Sequence, residues 1–334
     1  MGRIMDTRKL IRFGRSSFVI SLPKTWITAN GLKKGDVLGL EVGATTLKIS
    51  PHDEPQRRPL LKKTILQEGN PLSFLQMEIV SAYLSVANII EVKAEGHLKH
   101  AQAIKKILHG LTGLEVIEIS KDRILARDIL DEEAVSIDRT LRHIHRIVST
   151  QLRDCVHIAN KADAEEFFDR DRDINRLVFL LFRVLRYLLK EPSSMQEKGL
   201  SIQGLHRDWS MTMRLEHLGD HAKRIARAMV LQKGRPATLQ KMRKLHGRLF
   251  RCFENTMKAY YAEDYPSCYT IETHLAKLAD QIEDLMARVR DKQLLLALVN
   301  DRLSIGAIRH MGRAMLNMQE LQEIETGDLA KFEL

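Results

Sequence analysis

The stretch Arg214–Met229 reads RLEHLGDHAKRIARAM and carries two acids four residues apart, Glu216 and Asp220. At that spacing two side chains share one face of a helix, a turn apart. Asp169 and Asp173, within DRDRDI, repeat the spacing. Two such pairs on packed helices can share a divalent or iron cation, because hard cations take oxygen ligands. His217 and His221 lie four apart on the adjacent stripe. The same acids could instead pair with arginines of neighbouring helices, with Gly219 serving only close packing. Spacing leaves both readings open.

A second cluster is cationic. Arg8, Lys9, Arg12 and Arg15 fall within eight residues around Gly14. Residues 1–50 hold nine cations, Lys24 among them, against only Asp6, Asp36 and Glu41. Phosphate backbones reward such clusters through counterion release, and guanidinium forks can read guanine edges in the major groove. The competing reading is a solvated charged edge that blocks strand-to-strand aggregation. Nucleophilic catalysis finds little support. The chain has neither GxSxG nor the phosphate-cradling GxxxxGKS/T. Cys155, Cys252 and Cys268 are odd in number and widely spaced, so they read as core-filling residues rather than a disulfide framework or a metal site. The methionines of the carboxy-terminal half read as bundle core. No enzymatic activity is expected.

The elements that position these residues follow from composition and period. The chain has 334 residues, 53 Lys+Arg against 43 Asp+Glu, and a net charge of +10. A hydrophobic fraction of 44% excludes a chain disordered throughout. Few aromatics and many straight-chain helix formers favour helix over sandwich or barrel. No apolar run reaches membrane-spanning length, and the start shows no signal-peptide pattern. A soluble cytoplasmic protein is therefore expected.

Residues 1 to about 50 read as a small β-rich module. Strands are expected at Arg8–Ile11, Ser17–Leu22, Val37–Val42 and Thr45–Ile49, the last two joined by a Gly43-Ala44 turn. A short helix should open at Pro23 and close at Gly31. So short a module buries little alone, and two copies interleaving their strands would solve that. Pro51–Pro59 is a polar linker. The next segment, to about 130, mixes helices (Leu72–Val86, Leu98–His109) with strands (Asn88–Ala94, Leu114–Ile119, Arg123–Asp128). Beyond 133 the apolar positions recur at three and four. They mark helices at Ala134–Lys161, Ala164–Lys190, Leu205–Leu231, Ala237–Ala262, Tyr265–Asp291 and Gln293–Leu321. Two sets of three suggest a repeat, with Arg227-Ala228-Met229 returning as Arg313-Ala314-Met315.

Two segments resemble known families. Arg8–Pro51, with S-L-P-K-x-W followed by G-L-K-K-G-D-V-L, resembles the AbrB/SpoVT swapped-hairpin domain in the form that opens archaeal phosphate uptake regulators. RLEHLGDHAKRIA (Arg214–Ala226) and ADAEEFFDRDRDINRL (Ala162–Leu177) resemble the PhoU signature on the third and second helices of a three-helix bundle. The resemblance implies a mainly α chain with a small β-rich amino-terminal domain. Its parts would be an AbrB-like DNA-binding and dimerisation module at 1–52, a small α/β domain at 60–131, and two PhoU-like three-helix bundles at 133–232 and 237–325. It implies a metal site formed by Asp169, Asp173, Glu216 and Asp220, holding a divalent or iron cation, although Asn175 stands where the family often has a further acid. It further implies DNA contacts from Arg8, Lys9, Arg12, Arg15 and Lys24, and a strand-exchanged homodimer. Aligning Arg227-Ala228-Met229 with Arg313-Ala314-Met315 puts Arg302 opposite Glu216 and Gly306 opposite Asp220. The second acidic pair is thus missing, which implies one metal site or none per chain.

The function expected on these grounds is a DNA-binding, PhoU-like regulator of phosphate uptake and phosphate homeostasis. The alternative is an adaptor that docks a phosphate transporter ATPase or a sensor kinase and negatively regulates it without binding DNA.

Overall fold

The structure, a computed structural model, describes residues 7–15, 17–42, 47–51, 61–67 and 69–325. Its contacts divide the chain into two units, 1–60 and 61–334.

The first unit is built from two hairpins around a short helix. Strands β1 (Ile11–Phe13) and β2 (Ser17–Val19) pair antiparallel, with Ile11 opposite Val19 and Phe13 opposite Ser17. Gly14 turns the chain between them at φ +73°, a left-handed conformation that costs glycine nothing. Helix α1 (Lys24–Ala29) follows Pro23, and Gly31 leaves it at φ +65°. Strands β3 (Leu38–Val42) and β4 (Leu47–Pro51) form the second hairpin. The first strand is displaced from the expected Arg8–Ile11, because the Gly14 turn sets the register at Phe13 and Ser17. The second ends at Val19 rather than Leu22. The expected Gly43-Ala44 turn, the start of the fourth strand at Thr45 and most of the linker, 52–59, lie outside the described residues. No described residue of this unit is buried.

The second unit opens with a four-stranded sheet in the order β5-β6-β8-β7, formed by β5 (Lys62–Leu66), β6 (Ile89–Lys93), β7 (Leu114–Ile119) and β8 (Arg123–Asp128). Strands β5 and β6 run parallel, so helix α2 (Leu72–Leu84) is the crossover a parallel pair requires. Helix α3 (Ala101–His109) packs beside α2 against β7 and β8. Strand β5, read as sequence, gave no strand signal: KKTIL begins with two lysines, yet Ile65 is buried and Lys62 pairs with the buried Glu91 at 2.8 Å.

The rest is helical: α4 (Ile137–Asp154), α5 (Lys161–Lys190), the short α6 (Pro192–Glu197), α7 (Ile202–Leu231), α8 (Pro236–Ala262), α9 (Ser267–Met286) and α10 (Lys292–Glu325). The caps are those the sequence supplies. The side chains of Ser136, Asn160, Ser201 and Asp291 accept from backbone N–H groups in the first turns of α4, α5, α7 and α10. Helices α4, α5 and α7 pack together, as do α8, α9 and α10. The two trios meet chiefly along α7 and α10, where His221 Nδ1 lies 3.1 Å from Ser304 Oγ. One hydrophobic cluster runs through both trios. Among the described residues no helix is long and apolar enough to cross a membrane.

One guanidinium fastens the sheet layer to the helices. Arg183 of α5 is wholly buried. Its Nε donates to Glu132 Oε1 at 2.9 Å, Nη1 to the Tyr83 carbonyl at 2.7 Å, and Nη2 to the Asp128 carboxylate. The guanidinium also lies 4.7 Å from the centre of the Tyr83 ring. Removing one partner of a buried ion pair leaves the other charged and desolvated. Arg183→Met is therefore expected to lower the unfolding free energy by about 3–5 kcal/mol in urea denaturation. A loss below about 0.5 kcal/mol, the size of an ordinary surface change, would contradict this role.

Candidate functional site

Helix α7 presents Glu216 and Asp220 on one half-buried face, as their spacing requires. Gly219, on the adjoining side of the helix, is buried: a Cβ there would stand 3.1 Å from Ile174 Cδ1 of α5. The glycine thus permits the close approach of α7 to α5. Gly306, which the repeat offset puts opposite Asp220, faces open space.

The acid that faces this pair from α5 is Asp171. Lys223 Nζ lies 2.8 Å from Asp171 Oδ2 and 2.7 Å from Asp220 Oδ1. Asp220 also meets Arg224 at 3.6 Å. Burial works against the Lys223 charge, but the hydrogen bonds to Asp171 and Asp220 outweigh it and hold the ammonium more firmly protonated than usual. Glu216 is pushed above the ordinary carboxylate range by burial first and by the Asp220 charge next. His221 is pushed down to about 4 by burial and by Arg224, so it is neutral near pH 7. His217 shifts the same way, again through burial and then Arg214.

Asp169 and Asp173 are placed elsewhere. Both are exposed, and Asp169 pairs with Arg172 one turn along its own helix. Of the four carboxylates expected to hold a cation, Glu216 and Asp220 are brought together and Asp169 and Asp173 are turned to solvent. As placed, the side chains do not fit a shared metal ion, because the Lys223 ammonium occupies the position between Asp171 and Asp220. Among the described residues no group of three or more His, Cys, Asp and Glu side chains is disposed to hold one.

The cations of the first unit keep company with apolar side chains. Arg12 stands opposite Phe18 across the β1–β2 ladder. Lys24 begins α1, and Arg15 sits in the β1–β2 turn. Arg8, Lys9, Arg12, Arg15 and Lys24 are all exposed. Arg8, Lys9, Arg12 and Arg15 thus fall on or beside one hairpin, and Lys24 on the helix that follows.

A buried ionic site escaped the reading of the sequence. His246 of α8 is 1% exposed, and Asp301 of α10 is fully buried. His246 Nδ1 lies 2.7 Å from Asp301 Oδ1, and Nε2 lies 2.6 Å from the carbonyl oxygen of Leu152 on α4. Cys155 Sγ is 3.6 Å from the same nitrogen. Both ring nitrogens face oxygen acceptors, so both must donate, and only the imidazolium can do that. Burial opposes the charge. The Asp301 carboxylate opposes burial more strongly, and the net result lies well above the usual imidazole range. The site joins α4 of one trio to α8 and α10 of the other. The three cysteines are free and buried.

The pH dependence follows from the sign. A histidine whose folded pKa exceeds its unfolded value, about 6.5, stabilises the fold fully below that value. The contribution is lost as pH rises through the folded pKa. The unfolding free energy of the wild type is expected to fall on the alkaline side with an extra slope of up to about 1.4 kcal/mol per pH unit. That slope should be missing from His246→Leu. Equal slopes in the two proteins, followed by denaturation across pH, would show that no imidazolium resides there.

Comparison with known proteins fits this division. Residues 11–57 match the family described as "Antidote-toxin recognition MazE, bacterial antitoxin". Residues 141–229, most of α4 to most of α7, match the PhoU domain. No curated protein matches the chain. Among solved structures, the crystal structure of PhoU from Pseudomonas aeruginosa aligns at 15% identity and a TM-score of 0.41, covering 56% of this chain and 93% of that one. The chain thus carries a MazE/AbrB-like antitoxin-type domain at its amino-terminal end, followed by a PhoU domain.

Proposed function

We propose that this chain is a non-enzymatic, cytoplasmic regulator tied to phosphate homeostasis, which binds DNA as a dimer through its first unit. The observation that carries the reading is the combination of unsatisfied apolar surface and cations in residues 7–51. Phe13 is 69% exposed, Phe18 61%, Leu40 63% and Val42 78%. Burying each such side chain is worth roughly 1.5–3 kcal/mol, so a second copy of the module is a strongly favoured cover. The matched antitoxin-type and PhoU domains support the pairing of a DNA-facing module with a phosphate-linked one.

In this reading the dimer sets two copies of Arg8, Lys9, Arg12, Arg15 and Lys24 along one groove. The second unit then acts as the sensor. Its influence on DNA requires an effector that binds the DNA-competent and DNA-free states unequally.

Fluorescence anisotropy on a duplex from the gene's own upstream region tests this. Binding should weaken linearly on a log–log salt plot, with a slope of about −0.9 per phosphate neutralised. Arg12→Ala/Arg15→Ala should shallow that slope by roughly two per chain and weaken binding at least about tenfold. No binding at moderate salt, or an unchanged double variant, would refute DNA binding. The unit would then be left with dimerisation or docking of a transporter component or sensor kinase.

A further inference from the structure

Where α7 and α10 run alongside each other, they border an open cavity of about 570 Å³. His206, Ser210 and Arg214 line it from α7, three positions that recur every four residues along one face. His310, Arg313 and Asn317 line it from α10. No acid lines it. Several other arginines of these helices have carboxylates: Arg207 meets Asp208 at 3.2 Å, and Arg302 meets Glu283 at 2.6 Å; Arg227 instead lies over the Phe168 ring at 4.7 Å. Arg214 and Arg313 make no ion pair among the described residues. The Nε of Arg214 is buried and has no hydrogen-bond acceptor.

An orphaned buried donor on a charged group costs about 1–3 kcal/mol or more, and native structures rarely leave one without a reason. Two guanidiniums lining one space, half-buried Arg214 and exposed Arg313, also repel each other. Both costs vanish if an anion enters. A guanidinium fork matches the paired oxygens of a phosphate or carboxylate. Two forks converging on one cavity, with two imidazoles beside them, match a doubly charged oxyanion better than a single carboxylate. The neutral hydroxyl of Ser210 and the amide of Asn317 add hydrogen-bond partners without adding charge. The volume falls in the range of small-molecule sites, 300–1,000 Å³ in rough terms, and leaves space beyond the oxyanion itself.

We propose that this cavity binds a phosphate-type oxyanion, free or as the phosphate group of a small molecule, held by Arg214 and Arg313. The site is separate from the cations of the first unit, and the inference does not rest on DNA binding. It sits on the contact between the two helical trios, so an occupant touches both at once.

Titration of the full chain with inorganic phosphate, with adenosine monophosphate and with acetate tests it. Two readouts serve: calorimetry, and the imidazole C–H resonance of His310, assigned with His310→Asn. The His310 ring titrates below its usual range through burial and the charges of Arg214 and Arg313. A bound dianion offsets those charges, so its titration midpoint should move up on saturation. Phosphate or the nucleotide should bind saturably, and Arg214→Gln/Arg313→Gln should weaken binding at least about tenfold, or 1.4 kcal/mol. Equal affinity for both probes means that the free oxyanion suffices, whereas tighter nucleotide binding means that the organic part is also held. The proposal is overturned by an unmoved His310 in the wild type up to about 10 mM of both probes, tenfold past a millimolar constant. Acetate binding as tight as phosphate also overturns it, as does undiminished affinity in a double variant with wild-type circular dichroism. If the double variant does not fold, the wild-type His310 titration decides alone.

Discussion

A two-stranded hairpin is marginal in water, because one ladder and one face cannot offset the entropy of ordering the chain. This chain begins with two such hairpins, and none of their described residues is buried. The side chains that should form a core, Phe13, Phe18, Leu40 and Val42 among them, lie open. The unit therefore depends on a cover from outside itself. In the proposed dimer a second copy would supply one of matching shape, since every exposed apolar strand residue is then duplicated. The same association doubles the density of cations, which is what a phosphate backbone rewards. Stability and recognition would thus arise in a single step.

The second unit solves a different problem, that of charge inside packed helices. Buried charges persist only where a partner of opposite sign and enough hydrogen bonds meet them. Arg183 has two carboxylates and a carbonyl. The His246 imidazolium has Asp301 and the Leu152 carbonyl. Asp171 and Asp220 share Lys223. Each node also spans elements distant in sequence, so each holds a piece of the architecture in place. Against that pattern Arg214 and Arg313, which have no ion pair among the described residues, stand apart, and an incoming anion would complete their cavity as proposed.

Much of this was legible in the residues. The long helices follow from their period, whereas their starts are set by the caps Ser136, Asn160, Ser201 and Asp291, and period alone misplaced them by a few residues. Other features were hidden for identifiable reasons. Strand β5 carries the lysines of an edge strand, and its pairing comes from β6, some two dozen residues on. Helix α6 begins at Pro192, which reads as a breaker although proline is well suited to a first helical turn. Spacing showed that Asp169 and Asp173 share a face but not that the face is solvent. The apolar stripe through Phe167, Ile174 and Val178 does fix that phase: Asp171 lies near its line, and the other two acids lie on the opposite face. The His246–Asp301 pair had no local signal at all, because its members sit on different helices and meet only through tertiary packing.

The sedimentation-equilibrium mass of the full chain at micromolar concentration tests the central claim most directly. The account predicts twice the 38.4 kDa of one chain, falling to a single chain when Phe13 and Phe18 are both replaced by serine. A wild-type protein of 38.4 kDa, with its first-unit amides nevertheless protected from exchange, would contradict it.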